Sequence, residues 1–184
     1  MSRYSQLIAL KLADKHGLSD EYVEHIFMFA PLHDIGKVAI PDRILLKQGP
    51  LNEEERKIMD AHSDKGLEII DHMIANFKLS SIQHLDILRN IARFHYEAIN
   101  GEGYLQRLKS SEIPLEARII AAADVFDALT SKRPYKEAWD IDRAYKEMKK
   151  LSGDKLDADC VQILIEHRDE VEKIMVRFAE NRIG

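Results

Sequence analysis

The spacing of apolar residues is the feature that most limits what this chain can fold into. Along most of its 184 residues, apolar side chains recur every three or four positions, which is the repeat of an amphipathic helix and not of a strand. One such stripe runs from Tyr4 to Gly17, and a second starts at Tyr22 and ends before Pro31. Only five prolines and eight glycines interrupt the pattern. The sequence therefore predicts an all-α protein of about seven to eight helices.

The same pattern predicts further helices over 63–76, 81–98, 114–131, 140–151 and 157–181. Asn52 and Glu55 have the spacing of a capping box, which predicts a helix start between them. The stretch 36–51 contains two prolines and two glycines and is predicted to be a long loop. The sequence contains no repeat and no linker, so we expect a single domain over residues 1–184.

Composition narrows the class of protein. Hydrophobic residues make up 45% and charged residues 32%, and no apolar run is long enough to cross a bilayer, which favours a globular protein without a membrane segment. The formal net charge of -5 argues against a surface that binds nucleic acid polymers, so any affinity for phosphate must come from a local pocket. Cys160 is the only cysteine and the N-terminal segment is too polar for a signal peptide. A reducing cytoplasm is the expected location.

The apolar stretch "FAPLHDIGK" contains His33 and Asp34 side by side. An ionised carboxylate is costly to bury unless it is paired with a cation, hydrogen-bonded or bound to a metal. Lys37 lies one helical turn further on, where its ammonium could meet a phosphate or could simply form a salt bridge with Asp34. Both interpretations stay open from these residues alone.

Asp124 is a second acid in an apolar setting, directly after three alanines. Its expected partner is an interior cation, either a metal or Arg118, and Asp127 could share its face or accept a hydrogen bond from behind it. His62 and His95 lie beside helix ends or glycines, and imidazole with carboxylate is the usual ligand set of a hydrolytic metal site. The other five histidines are interpreted as surface or capping residues: His16, His25, His72, His84 and His167.

Five motifs, taken together, carry a resemblance to a known family. They are "LHDIGKVAIPDRILLKQGPLNEEE", "MDAHSDKG", "HYEAINGEGY", "IPLEARIIAAADVFDALTSKRPY" and "SGDKLDADCV", in that order. The chain resembles the HD-GYP branch of the HD superfamily of metal-dependent phosphohydrolases. The resemblance implies an all-α HD domain whose centre of two or three metals hydrolyses the bacterial second messenger cyclic di-GMP through a metal-activated hydroxide.

The resemblance also assigns roles to residues. The implied metal ligands are His33, Asp34, His62, His95 and Asp124, with Asp34 as the bridge between two metals and, with Lys37, as a catalytic residue. The implied substrate contacts are Lys37, Gly101, Gly103, Tyr104, Arg133 and Lys136. The expected cofactors are divalent ions, iron or manganese before others, with one or two ions per chain.

The chain departs from the family pattern in the motif around His95. Tyr96 stands where the family has a second histidine, Leu105 where it has a proline, and Arg107 where it has a glycine. A neutral phenol is a poor ligand for most divalent metals, so one metal position is expected to be weakened. Without the proline, the loop is expected to differ in shape. Leu156 and Ala158 replace a phenylalanine and a proline, which concerns packing more than chemistry.

The family carries a glutamate and a histidine ligand on its first helix, ahead of the segment that matches "MSRYSQLIALKLADKHGL". We therefore expect the first helix to be truncated here, with a sensory or receiver domain upstream, or else a protein that never had a complete metal centre. Two main hypotheses remain. The chain is a cyclic di-GMP phosphodiesterase, or it is a catalytically impaired module that binds a nucleotide or a protein partner for regulation. A hydrolase of another phosphate ester is a third.

Overall fold

A computed structural model gives the fold and describes residues 1–79, 82–132 and 137–179. Within these ranges the regular structure is helical, and the strand-like pairing is a single bridge between Ser152 and Leu156. The predicted all-α fold is confirmed. None of the described helices is long and apolar enough to span a membrane. The α-helices are α1 Ser2–His16, α2 Asp20–Phe29, α3 Asp42–Leu45, α4 Glu53–Asp60, α5 His62–Asn76, α6 Leu85–Phe94, α7 Leu115–Thr130, α8 Ile141–Leu151, α9 Ala158–Glu166 and α10 Arg168–Ala179.

Local chemistry sets several of these boundaries. The capping box at α4 is present, because the Asn52 side chain accepts from the Glu55 N–H and the Glu55 side chain accepts from the Asn52 N–H. Three predictions of extent were wrong. The stretch 36–51 is not all loop, since it contains most of a 3-10 helix over Ile35–Ala39 and all of α3. Helix α6 is shorter than 81–98, and the predicted helix 157–181 is divided at His167 into α9 and α10.

The main core is built around α7, whose side chains are buried on most sides. Its alanines allow neighbouring helices to approach closely, and its larger residues, such as Ile119, Ile120 and Phe126, are fully buried. Phe126 contacts Tyr4 of α1 edge-on, with ring centroids 5.1 Å apart, and stacks on Tyr145 of α8. Burial of each such side chain contributes about 1.5–3 kcal/mol. Helix α7, which carries Asp124, is therefore held firmly in the main core.

A smaller apolar cluster joins α5 to α6. Ile70 and Ile74 of α5 pack with Leu85, Leu88 and Ala92 of α6. Partly buried Leu32 and Ile35 pack onto the same cluster from the turn that contains His33 and Asp34. The cluster holds the turn against both helices, and Asp34 of the turn lies close to His62 at the start of α5 and to His95 after the end of α6.

Candidate metal centre

The turn that carries His33 and Asp34 lies directly on the backbone of α5. It connects a 3-10 helix over Ala30–Leu32 to the one over Ile35–Ala39. A Cβ atom on Gly36 would lie 1.8 Å from the His62 carbonyl oxygen and 2.5 Å from the Gly66 nitrogen. Only glycine fits this contact. The absence of a side chain at position 36 therefore brings Asp34 to the start of α5.

The three histidines of the site share one arrangement. Each ring has its Nδ1 within hydrogen-bonding distance of a backbone carbonyl three or four residues earlier: His33 with Ala30 (2.8 Å), His62 with Met59 (2.7 Å) and His95 with Ile91 (2.8 Å). A carbonyl can only accept, so we assign the proton of each neutral ring to Nδ1. Each Nε2 then carries a lone pair, which is the form that binds a metal.

The Nε2 atoms converge on the Asp34 carboxylate. Its Oδ1 lies 3.5 Å from Nε2 of His62 and 3.6 Å from Nε2 of His95. Its Oδ2 lies 3.2 Å from Nε2 of His33, and that nitrogen is also 3.8 Å from Oδ1 of Asp124. The ligand atoms of His33, Asp34 and His95 all lie within 4.8 Å of one another. The structure therefore brings together all five residues that were predicted to bind metal.

The electrostatics of the site keep Asp34 charged and two histidines neutral. Burial opposes ionisation of Asp34, but attraction to His33 and the hydrogen bond from Lys37 hold the pKa of its carboxyl far below the usual range. Burial lowers the pKa of both His62 and His95. The pKa of His33 is raised, because its hydrogen bond and attraction to Asp34 outweigh burial. An anionic carboxylate beside the lone pairs of two neutral imidazoles is a set of donors for a cation.

Two buried atoms of the site have no hydrogen-bond partner, namely Oδ1 of Asp34 and Nε2 of His95. Leaving a buried polar atom unsatisfied costs about 1–3 kcal/mol, so each such atom needs an explanation. A divalent cation would satisfy both atoms at once. The donor set of imidazole nitrogens and carboxylate oxygens also suits such an ion. These residues therefore fit the metal that the resemblance implies.

Lys37 forms a salt bridge with Asp34, which was one of the two interpretations of this residue. Its Nζ lies 2.6 Å from Oδ2 of Asp34. Burial lowers the pKa of the Lys37 ammonium, but the hydrogen bond and charge of Asp34 outweigh it, so the pKa is raised. The ammonium stays charged beside the predicted metal ligands, and its contact with a phosphate stays a prediction.

The two interpretations of Asp124 are also separated by the geometry. Arg118 donates to the Asp157 carboxylate (2.6 Å) and to the carbonyl of Ile113, so it is engaged elsewhere. The contact of Asp124 that the structure shows is with His33. Asp127, which was expected to share the face of Asp124, accepts a hydrogen bond from the amino group of Met1 at 2.9 Å.

The sequence was compared with known protein families, and the model of the HD domain family matches residues 1–160. The chain belongs to the HD domain family. The resemblance drawn from the motifs is thereby confirmed.

Curated relatives match over most of the chain. It is 42% identical over 179 residues to the cyclic di-GMP phosphodiesterase response regulator RpfG of Xanthomonas campestris pv. campestris, covering 97% of this chain and 45% of that protein. It is 38% identical to a cyclic di-GMP phosphodiesterase of Thermotoga maritima (91% and 44%) and 39% identical to the 3'3'-cGAMP-specific phosphodiesterase 2 of Vibrio cholerae (87% and 29%). The chain spans less than half the length of each of these relatives.

Tyr96 forms an aromatic wall of this HD domain's site. Its ring centroid is 4.4 Å from that of His95 and 5.1 Å from that of His62, and its ring stacks on Tyr104 at 4.9 Å. Burial first, and then the charge of Asp34, raise the pKa of the Tyr96 phenol. Tyr96 therefore stays neutral near pH 7. The ligand contact assigned to Tyr104 stays a prediction, since its ring packs on Tyr96.

The glycines of the loop are explained by close packing of the chain on itself. A Cβ on Gly103 would lie 2.3 Å from the Ala98 nitrogen and 2.5 Å from Cα of Glu97. Gly101 has a φ of +80, and a Cβ there would contact the Lys109 side chain at 2.6 Å. The loop needs both glycines to keep this shape. Their predicted contact with a substrate is untested.

Glu97, which was not among the predicted site residues, holds this loop in place. The residue is buried, and its carboxylate accepts hydrogen bonds from the backbone N–H groups of Gln106 (2.7 Å) and Leu108 (3.1 Å). A carboxylate that accepts two backbone bonds fixes both ends of a short loop. The available signal was an acid directly after His95 and Tyr96 and before apolar Ala98.

The loop also adopts left-handed backbone at residues that are not glycine. Leu105 has a φ of 106 and Arg107 a φ of 55. Proline is fixed near -65° and cannot adopt the conformation of Leu105. The loop therefore differs from one that carries the family's proline, as predicted. Arg107 has the left-handed conformation at the position where the family has glycine.

Two predicted substrate contacts, Arg133 and Lys136, lie outside the described residues, and their roles stay predictions. Of the two substitutions near the C-terminus, Leu156 is buried in the main core and Ala158 begins α9.

Proposed function

We propose that this chain is the metal-dependent phosphodiesterase domain of a cytoplasmic signalling protein, with cyclic di-GMP as its substrate. The observation that carries the proposal is the convergence of three Nε2 atoms on the carboxylate of Asp34, whose Oδ1, facing His62 and His95, is buried without a hydrogen-bond partner. The activities for which these relatives are named support a cyclic dinucleotide as substrate. One of them is specific for 3'3'-cGAMP, so this dinucleotide is the competing substrate.

The residues that would hold one or two divalent ions are His33, Asp34, His62, His95 and Asp124. Iron or manganese is proposed, because both accept imidazole with carboxylate ligands. When bound, such ions draw charge from the phosphodiester oxygens and lower the pKa of a water that attacks phosphorus. The carbonyls of Ala30, Met59 and Ile91 keep the rings in the tautomer and orientation that ligation needs.

Lys37 supplies positive charge to the transferring phosphoryl group. Its half-buried ammonium pairs with Asp34 and lies 6.0 Å from the centroid of the Tyr96 ring. Rotation about its flexible stem brings the same charge to a phosphate oxygen, where negative charge grows as the diester is attacked. The stacked rings of Tyr96 and Tyr104 offer an aromatic face beside the centre for a guanine base.

Binding of the nucleotide with little turnover is the second candidate function, and Tyr96 favours it. A neutral phenol stands where the family has a second histidine ligand, so one ion position lacks an anchor. If the chain is a phosphodiesterase, we therefore expect its rate of hydrolysis to be reduced. Regulation through a protein partner belongs to the same alternative.

The first experiment combines metal analysis, calorimetry with both cyclic dinucleotides and a product assay. Asp34→Ala should lose bound metal, and unchanged metal content would contradict the site assignment. His62→Ala should abolish turnover and spare much of the affinity. His72→Ala is the matched control, since His72 is exposed on the same helix, α5. Equal loss of turnover in both histidine variants would overturn the proposal.

The second experiment separates the two candidate functions by changing Tyr96 to His. The added imidazole should raise both the metal content and the rate of product formation. A rise in metal content alone would favour the binding module. A fall in both would show that Tyr96 itself is part of the working site.

A further inference from the structure

A second group of possible metal ligands lies away from the centre described above. Glu21 and His25 of α2 face His84, the residue that precedes α6. His95 follows the other end of α6, and a helix of this length rises about 15 Å. The two groups therefore lie at opposite ends of one helix.

The three side chains point their ligand atoms at a common volume. Nδ1 of His25 donates a hydrogen bond to the carbonyl of Glu21 at 2.7 Å, which leaves Nε2 as the ligand nitrogen. Nε2 of His84 lies 3.7 Å from Oε2 of Glu21, and the two imidazole rings are 5.1 Å apart between centroids. One ligand atom from each residue lies within 4.8 Å of the others.

The surroundings differ on the two sides of this volume. His25 is buried and packs on the ring of Phe29, contrary to its interpretation as a surface or capping histidine. The side chains of His84 and Glu21 are 35% and 51% exposed. One side of the volume is therefore protein wall and the other is open to solvent, as in a site with three protein ligands and water in the remaining position.

The backbone at His84 gives an independent reason to ask what its ring does. This residue is in the left-handed region, with φ 59 and ψ 28, although it is not a glycine. That conformation costs about 1–2 kcal/mol for an L-residue. The ring does not offset this by capping, since the side chain makes no capping hydrogen bond to α6. What the conformation does achieve is to place the imidazole against His25.

We propose that Glu21, His25 and His84 form a second metal site, for a borderline transition metal such as Zn²⁺. Two imidazole nitrogens with one carboxylate oxygen suit this class, whereas Mg²⁺ and Ca²⁺ prefer oxygen ligands alone. Zinc bonds of about 2.0–2.1 Å place tetrahedral ligand atoms roughly 3.4 Å apart, so the 3.7 Å contact between His84 and Glu21 needs little adjustment.

The site goes beyond the proposed hydrolysis, since its ligands lie outside the phosphodiesterase centre. An ion there ties α2 to the start of α6. Helix α6 supplies the Ile91 carbonyl that orients His95 at its far end. The bound ion therefore stabilises the helix on which the other centre depends, in proportion to its affinity for the folded state.

The test uses the full chain in an Asp34→Ala background, so that the first centre is impaired and the second can be counted. Zn²⁺ is titrated by calorimetry, and Co²⁺ by its visible absorption as a tetrahedral surrogate. The second substitution is His84→Asn, because asparagine tolerates left-handed backbone and can cap a helix. His25→Asn removes Nε2 and keeps a donor in the position of Nδ1. His72→Asn is the control for an exposed histidine.

Loss of about one ion per chain in His84→Asn and His25→Asn, with no loss in His72→Asn, is the expected result. The zinc-induced rise in unfolding temperature should disappear in the same two variants, and their metal-free unfolding temperatures show whether they fold. Unchanged stoichiometry in either variant, or equal loss in the control, overturns the second site. Cleavage of cyclic di-GMP by the chain with Asp34 intact is measured separately, so failure of the proposed function is distinguishable.

Discussion

The turn around Asp34 and the loop around Tyr104 line the same centre, and each has a glycine at a close backbone contact, but only the loop carries left-handed backbone at residues that are not glycine. In the turn, Gly36 stands where any side chain would collide with the backbone of α5. In the loop, Leu105 and Arg107 carry left-handed backbone that glycine would adopt without strain. The loop keeps its shape because Glu97 accepts two backbone hydrogen bonds.

The predicted metal ligands and the predicted substrate loop are therefore held in place by different features of the fold. The predicted metal ligands depend on helix ends, on Gly36 and on backbone carbonyls, all of which belong to the packed part of the fold. The loop depends on Gly101, Gly103 and one buried carboxylate, and it carries strain of about 1–2 kcal/mol at each left-handed residue that is not glycine. We therefore expect changes in the turn to affect metal binding and stability together, and changes in the loop to affect stability more gently.

The largest effect is expected for Gly36→Ala. The added methyl would lie 1.8 Å from the His62 carbonyl oxygen, so the turn must move away from α5. Overpacking of this kind costs about 3 kcal/mol or more and should also separate Asp34 from His62. Urea denaturation and metal analysis of the purified variant measure both consequences.

Gly66→Ala is the matched control on the other side of the same contact. A Cβ there would lie 3.3 Å from the Gly36 nitrogen, a distance that small adjustments can relieve. Alanine also favours the interior of α5 by about 1 kcal/mol. The variant should be close to neutral and should keep its metal. If both variants behave alike, the contact is not what positions the turn.

Glu97→Gln should have the next largest effect, in the loop. The amide can accept from only one of the Gln106 and Leu108 N–H groups, and its own NH2 opposes the other, which costs roughly 2 kcal/mol. Metal content should stay unchanged. Urea denaturation measures the stability, and the rate of trypsin cleavage near Arg107 measures opening of the loop.

Glu102→Gln changes an exposed glutamate of the same loop, whose contact is with the Asn100 side chain. A surface substitution of this kind should alter stability by less than about 0.5 kcal/mol. Faster cleavage in Glu102→Gln than in Glu97→Gln would show that the buried carboxylate is not the anchor of the loop.

The sequence predicted the turn better than the loop, for physical reasons. Apolar periodicity predicts helices, and an acid or histidine inside an apolar stretch is visible as a conflict, which is how Asp34 and Asp124 were found. A loop is defined by hydrogen bonds between distant backbone groups, which leave no periodic trace. Glu97 and Gly36 were missed for that reason, because their roles depend on contacts with residues 106–108 and 62–66.

Restoring the family's proline gives a smaller expected effect and tests the shape of the loop. Leu105→Pro requires a φ near -65° where the chain has 106, so the present loop should lose about 1.5 kcal/mol or rearrange. Leu105→Gly is the control, because glycine accepts either conformation. A proline variant as stable as the glycine variant, with unchanged trypsin cleavage, would mean that the loop does not require this backbone.

The smallest expected effect is a gain in stability from Arg107→Gly. Arg107 has a φ of 55, so glycine should remove strain of about 1–2 kcal/mol, while its greater freedom in the unfolded chain offsets part of that gain. A net gain of about 0.5 kcal/mol is expected in urea denaturation. Gln106→Gly is the matched control. Gln106 is the neighbouring residue and does not have a positive φ, so glycine there relieves no strain. This substitution only makes the unfolded chain more flexible, which lowers the free energy of unfolding by about 0.5–1 kcal/mol. Both variants replace an exposed side chain in the same loop. They are therefore distinguished by the sign of the change in the free energy of unfolding. Destabilisation of both to the same extent would show that the left-handed backbone at Arg107 carries no strain, and the contrast between the loop and the turn would then depend on Leu105 alone.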